Sequence, residues 1–162
     1  MTILTTHSMT AEELKSEGGR LGGLSALSFE VPGTPVAKAR ARFSSRNGCA
    51  YTPSATAAYE RSVQQWAQLA MLQAGRKTTT APVSVEIHLY FPIPESWSKS
   101  KKERAIFGQT YPKSVDVDNV AKSLLDGCNG IVFDDDSQVI ELHVTKRYGL
   151  EPKARVFVTE VP

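Results

Sequence analysis

The sequence predicts a mixed α/β fold: a single domain in which a mixed sheet of about four strands packs against helices. Two observations carry that expectation. Strand-like apolar alternation and helix-like three- and four-residue spacing take turns along the chain, in the order strand, long helix, strand, short helix, helix, strand, strand. The second is length: 162 residues suffice for one well-buried core and are a poor fit to two.

Residues 1–26 mix Thr, Ser, Gly and charge, and "GGRLGG" reads as a flexible link. The expected organisation is therefore an N-terminal arm over 1–26 and a domain over 27–162. The arm carries one capping pattern, Thr10 with Glu13 three residues on, for a short helix over "TAEELKSE". "ALSFEVPG" is the first strand, ended by Pro32-Gly33. Lys38, Arg40 and Arg42 then alternate with small residues, so an extended segment points all three the same way. Pro35 before them and "SSRNG" after them mark a loop or ribbon. From Ser54 or Thr56 to Gly75 the period turns helical, with Tyr59, Val63, Trp66, Leu69, Ala70 and Leu72 as the apolar positions. "APVSVEIHLYFPIP" is a strand with Val83, Val85, Ile87, Leu89 and Phe91 on one face. "ESWSKSKKERAIFG" is a short basic helix capped by Ser96 or Ser98. A further helix runs from about Asn119 to Cys128 with Val120, Leu124, Leu125 and Cys128 inward and Asp126 as an exposed carboxylate. Strands over 139–147, with Val139 and Ile140 buried behind the acidic cluster, and "KARVFVTEV" follow.

Apolar and charged fractions of 41% and 22% are ordinary for a globular chain and argue against wholesale disorder. Cys49 and Cys128 make neither a zinc pattern nor a disulfide framework. No secretory apolar region or membrane-length run is present, so the expected setting is the cytoplasm, with no membrane partner. The net charge of +2 does not by itself indicate a polyanion partner. Its distribution says more: Lys38, Arg40, Arg42 and Arg46 form one basic strip, Lys99, Lys101, Lys102 and Arg104 a second, Lys146 and Arg147 a third. Such clusters are the footprint expected of phosphate contacts to DNA.

The acidic residues concentrate in "SVDVDNVAKSLLDG" and "VFDDDSQVIEL". In an extended segment Asp116 and Asp118 project to the same face. Converging carboxylates repel unless a cation lies between them, and hard oxygens suit Mg²⁺ or Mn²⁺. Lys122, one turn on, is placed to neutralise part of the acidic site or to hold a scissile phosphate. Asp134 and Asp136 share a side, so one of that pair completes a three-carboxylate cage. The structural alternatives are a helix cap with an exposed ion pair, and a "DDDS" turn. An EF-hand is excluded, because the sixth and twelfth positions counted from Asp116 hold Ala121 and Gly127. Asp116–Val120 also matches the DxDx(T/V) motif of haloacid-dehalogenase-like phosphatases, although "TYPKS" ahead of it is not a buried strand.

The run Asp116, Asp118, Asn119, Lys122, Asn129-Gly130 and Asp135-Asp136-Ser137-Gln138-Val139 resembles the RusA family of Holliday-junction resolvases, common in prophages and bacteria. "FEVPGTPVAKARARF", "YTPSATAAYE" and "PESWSKSKK" resemble family segments in the same order, and the resemblance spans residues 27–160. It implies a RusA-like fold and a homodimer that cuts four-way DNA junctions in recombination and repair. It further implies Asp116, Asp118 and Asp136 as metal-binding catalytic carboxylates for Mg²⁺, with Mn²⁺ as a substitute, and Lys122 as the catalytic lysine. Lys38, Arg40, Arg42, Arg46 and Lys146 are the expected DNA contacts. One departure is the extra Asp134, which leaves Asp134 and Asp135 as rival third ligands; the register of Ser137-Gln138-Val139 favours Asp136. The competing functions are an aspartyl-phosphate phosphatase and a non-catalytic junction-binding module.

Overall fold

A computed structural model describes residues 26–39, 42–43, 50–51 and 53–162. The arm, its expected short helix, Arg40, Arg46 and Cys49 lie outside the described residues. In chain order the elements are β1 (Leu27–Pro32), β2 (Arg42–Phe43), β3 (Ala50–Tyr51), α1 (Ser54–Gln73), β4 (Val83–Pro92), α2 (Lys99–Ile106), α3 (Val117–Cys128), a 3₁₀ turn (Asp136–Gln138), β5 (Val139–Gly149) and β6 (Lys153–Glu160). The two short strands β2 and β3 pair with each other, in the segment expected to be a loop or ribbon.

The main sheet has four strands in the order β1-β6-β4-β5. β1 with β6 and β6 with β4 are antiparallel, and β4 with β5 is parallel. Parallel neighbours need a long crossover, and the segment carrying α2 and α3 supplies it. The sheet is thus mixed, as expected. Alternation fixes its buried face: Val83, Val85, Ile87, Leu89 and Phe91 of β4 lie beside Ala154, Val156 and Val158 of β6 and Leu27, Phe29 and Val31 of β1. Fully burying each such branched side chain stabilises by about 1.5–3 kcal/mol. α1 and α3 cover this face and pack on each other. The other face carries Glu86, His88, Tyr90, Lys153, Arg155 and Phe157, all half-buried.

Four details differ from expectation. α1 buries Tyr59, Val63, Ala67, Ala70 and Met71, whereas Trp66, Leu69 and Leu72 are 38%, 42% and 79% exposed. The inward face thus mixes alanines with Tyr59, Val63 and Met71, and α3 meets it most closely through Gly127 at Val63. Ile140, expected to be buried behind the acidic cluster, is exposed on the edge strand. β5 continues to Gly149, because it pairs with β4 as far as Pro92. α3 begins at Val117 rather than Asn119, since Val117 already packs against the core.

Candidate active site and nucleic-acid interface

The early start of α3 sets the geometry of the acidic pair. Asp116 is the cap, with φ −79° and ψ 111°, and its carbonyl accepts from Val120 N–H at 3.3 Å. Asp118 lies inside the first turn, so only Asp116 stands in extended backbone, and the expectation of a shared extended face is corrected on this point. Both side chains are exposed at the positive end of the helix dipole, which favours negative charge. Lys122 stands one turn beyond Asp118 and is also exposed. Asp116, Asp118 and Lys122 make no side-chain hydrogen bond or ion pair among the described residues.

Their backbone, by contrast, is anchored on both sides. Lys146, on the helix-facing side of β5, donates from Nζ to the Val115 carbonyl at 2.6 Å. Lys38 donates its backbone N–H to the Asn119 carbonyl at 2.8 Å. The Lys38 ammonium lies between Glu60 of α1 and Asp126 of α3, the latter at 2.7 Å. Desolvation lowers the pKa of this lysine, but hydrogen bonds and charge from Asp126 and Glu60 outweigh it and hold the pKa above the usual lysine value. Asp126, expected to be an exposed helix carboxylate, is instead half-buried in this cluster. Two of the expected DNA contacts, Lys38 and Lys146, therefore have partners within the chain. Arg42 belongs to β2, and Arg40 and Arg46 lie outside the described residues.

The second acidic cluster is a capped turn. Asp135 accepts from Ser137 N–H, and its own N–H donates to Gln138 Oε1, both at 2.9 Å. The Ser137 hydrogen bonds hold the Asp135 carboxyl below its usual value. Gln138 Nε2 donates to the Thr79 and Ala81 carbonyls at 3.0 and 2.9 Å, tying the turn to the segment ahead of β4. Asp135 and Gln138 thus hold the turn together, while the side chains of Asp134 and Asp136 make no such bond among the described residues. Phe133, three residues before Asp136, bridges Asn129 at the C-terminal end of α3.

Asp116 thus stands at the start of α3, whereas Asp136 lies in a turn that follows the helix and contacts it. Asp116, Asp118 and Lys122 share the first turns of α3, and Asp136 belongs to the 3₁₀ turn ahead of β5. Among the described residues, no three His, Cys, Asp or Glu side chains are grouped closely enough to hold a metal ion. The aspartate pair nevertheless fits Mg²⁺ in kind, because that ion is commonly held by one or two carboxylates plus waters and substrate phosphates.

Other side chains capable of chemistry lie outside this group. Cys128 is fully buried, and burial pushes its thiol up to about 12. On the sheet's other face His88 Nδ1 lies 2.8 Å from Thr145 Oγ1, and Nε2 lies 3.1 Å from Glu86 Oε1. His143 is exposed. Tyr59 belongs to the core, and its hydroxyl has no partner among the described residues. The local positioning roles of Gln138, Lys146 and Lys38 escaped the sequence reading, since their partners are distant in sequence, whereas Asp135 bonds only two and three residues on, within the turn that "DDDS" signals.

A mixed sheet presenting uncommitted carboxylates and a lysine at one helix end, with a basic helix ahead of them in the same crossover, has the residue chemistry of a phosphodiester-cleaving enzyme. The family model for the endodeoxyribonuclease RusA matches residues 32–159, and the chain belongs to that family. It is 38% identical over 142 residues to an uncharacterized protein, YqaN, of Bacillus subtilis (strain 168), a match covering 85% of this chain and 99% of that one. No helix among the described residues is long and apolar enough to cross a membrane.

Proposed function

We propose that the protein is a divalent-metal-dependent endodeoxyribonuclease that resolves Holliday junctions by paired phosphodiester hydrolysis. The observation that carries this reading is the group at the start of α3, in a chain of the RusA family: Asp116, Asp118 and Lys122 are exposed, without side-chain partners, and set on an anchored backbone. Uncommitted charges at a rigid position are available to a substrate. A divalent ion, when bound, supplies positive charge to phosphate oxygens and acidifies water. Asp116 and Asp118 are the residues that would hold it. Lys122 sets its ammonium against the scissile phosphate and offsets the charge that grows in the transition state. Asp136 enters as a third ligand through the family pattern, and Asp136→Asn is the variant that measures its contribution.

A four-way junction has two symmetric strands to cut, which suits a homodimer with one site per protomer. Recombination and repair in the cytoplasm are the matching setting. The phosphatase alternative loses its premise, because residues 107–115 ahead of Asp116 form no strand.

Cleavage of an end-labelled mobile four-way junction, against linear duplex and with Mg²⁺ or Mn²⁺, tests the reading. Wild type should introduce paired symmetric nicks in the junction. Asp118→Asn and Lys122→Ala should each lower the rate by at least about 10²-fold, in line with the loss of a group acting on transition-state charge. Junction binding without cleavage would instead leave a binding module. Turnover of p-nitrophenyl phosphate with indifference to DNA would revive the phosphatase.

A further inference from the structure

Among the described residues, several cations have carboxylate or carbonyl partners within the chain and those of one helix do not. Lys38 is held by Glu60 and Asp126, Lys153 and Arg155 by Glu30, and Lys146 by the Val115 carbonyl. The cations of α2 differ: Lys99, Lys101, Lys102 and Arg104 have no carboxylate partner among the described residues. Like charges one turn apart destabilise a helix unless something compensates them. Lys101 and Arg104 line a hollow of about 350 Å³ together with Ser98, Ser100 and Thr110. None of the five is acidic, so every side chain at its wall is a cation or a hydroxyl.

The hollow is fixed in place. Ser98 caps α2, accepting from Lys101 N–H at 3.4 Å. The Lys101 ammonium lies 3.9 Å from the centroid of the Trp97 ring, and Trp97 meets Tyr148 of β5 edge-on at 5.1 Å. Tyr148 shares the helix-facing side of β5 with Lys146, which holds Val115 next to Asp116. α2 and the acidic pair therefore lie on one side of the sheet, along the same strand, and Thr110 sits in the short link between them.

Resting on the nuclease reading, we propose that this hollow is a phosphate-binding subsite for the DNA backbone flanking the scissile bond. Lys101 and Arg104 would supply charge, and Ser98, Ser100 and Thr110 hydroxyl donors, to phosphodiester oxygens. Contacts of this kind give sequence-independent affinity and set the position of the duplex on the protein. The subsite would engage junction arms and linear duplex alike.

Binding isotherms across a KCl series, with a labelled fixed four-way junction and a matched duplex, test it. The parent is Asp118→Asn, which separates binding from cleavage. Lys101→Gln with Arg104→Gln removes both charges and keeps the aliphatic stems, including the one over Trp97. Arg61→Gln with Lys77→Gln controls for net charge. The subsite double variant should weaken both DNAs and reduce the slope of log K against log salt by about two, or one per lost phosphate contact. The control should keep the parental slope. A subsite variant with parental affinity and slope overturns the inference alone, provided that the parent binds and wild type cuts. A parent that binds neither DNA overturns the nuclease reading and the subsite together.

Discussion

Gln138 closes three hydrogen bonds with one amide: its oxygen accepts from Asp135 N–H, and its nitrogen donates to the Thr79 and Ala81 carbonyls. The first closes the acidic turn on itself, and the other two span the gap to the segment leading into β4. Gln138→Ala leaves those backbone groups without their partner, and an unmet buried polar group costs about 1–3 kcal/mol. Urea unfolding should show a loss in that range, and a loss below about 0.5 kcal/mol, the size of an ordinary surface substitution, would mean that the turn does not depend on this amide. The same variant should lower junction cleavage only if the Asp136 turn takes part in it. In the sequence Gln138 was legible as a register mark behind Asp136 but not as a strut, because its partners are carbonyls nearly sixty residues away. The acidic pair was better legible: its exposure and the adjoining lysine follow from local spacing. What local spacing missed was where α3 starts, since that depends on Val117 meeting the core.

α1 and α3 show how packing between elements overrides a reading by residue size. The apolar period of α1 is genuine, yet the large members Trp66, Leu69 and Leu72 face outward, and Ala67 and Ala70 face inward. Two helices approach closely only where their facing side chains are small. At the crossing Gly127 meets Val63: a Cβ on this glycine would stand 2.6 Å from Val63 Cβ and Cγ1 and 3.2 Å from the Glu60 carbonyl. Gly127→Ala must therefore separate the helices or displace Val63, and overpacking of this kind costs about 1–3 kcal/mol. Thermal unfolding should fall by several degrees, since about 2–4 °C accompany each kcal/mol in a chain of this size. An unchanged midpoint would show that the crossing is looser than its geometry. The four strands of the main sheet and the three helices were legible because each follows its own periodicity. Which face of α1 turns inward was not, because its neighbour lies more than forty residues further along the chain.

Across the whole molecule the basic clusters of the sequence sort themselves by ion pairs that span long stretches of chain. Lys38 finds Glu60 22 residues away, whereas Lys153 and Arg155 find Glu30 at separations of 123 and 125. No window of sequence shows such pairs, so a strip of lysines reads alike whether it is neutralised or free. The fold thereby gives the sheet two differently charged sides. The helix side carries the aspartate pair and the α2 cations, which have no carboxylate partner among the described residues, while the other side neutralises Lys153 and Arg155 with Glu30. Burial raises the Glu30 pKa, but hydrogen bonds from Lys153 and Arg155 and their charges prevail and leave it below the ordinary 4.5. A carboxylate with a depressed folded pKa contributes stability that is fully present above its unfolded pKa and is lost as pH falls through the folded one. The Glu30 contribution should thus be constant at neutral pH and fade below about pH 4.5. Because Glu30 is well exposed, each pair is worth only about 0.2–1 kcal/mol and weakens with salt. Glu30→Gln should accordingly unfold at slightly lower urea than wild type at pH 7, with the difference closing as the solution is acidified. The deciding measurement is the gap between the two unfolding midpoints as a function of pH at low ionic strength. A gap that stays constant through the acid limb would show that Glu30 stabilises the sheet by packing alone, and the charge asymmetry between the two sides would then have no part in holding β1 to β6.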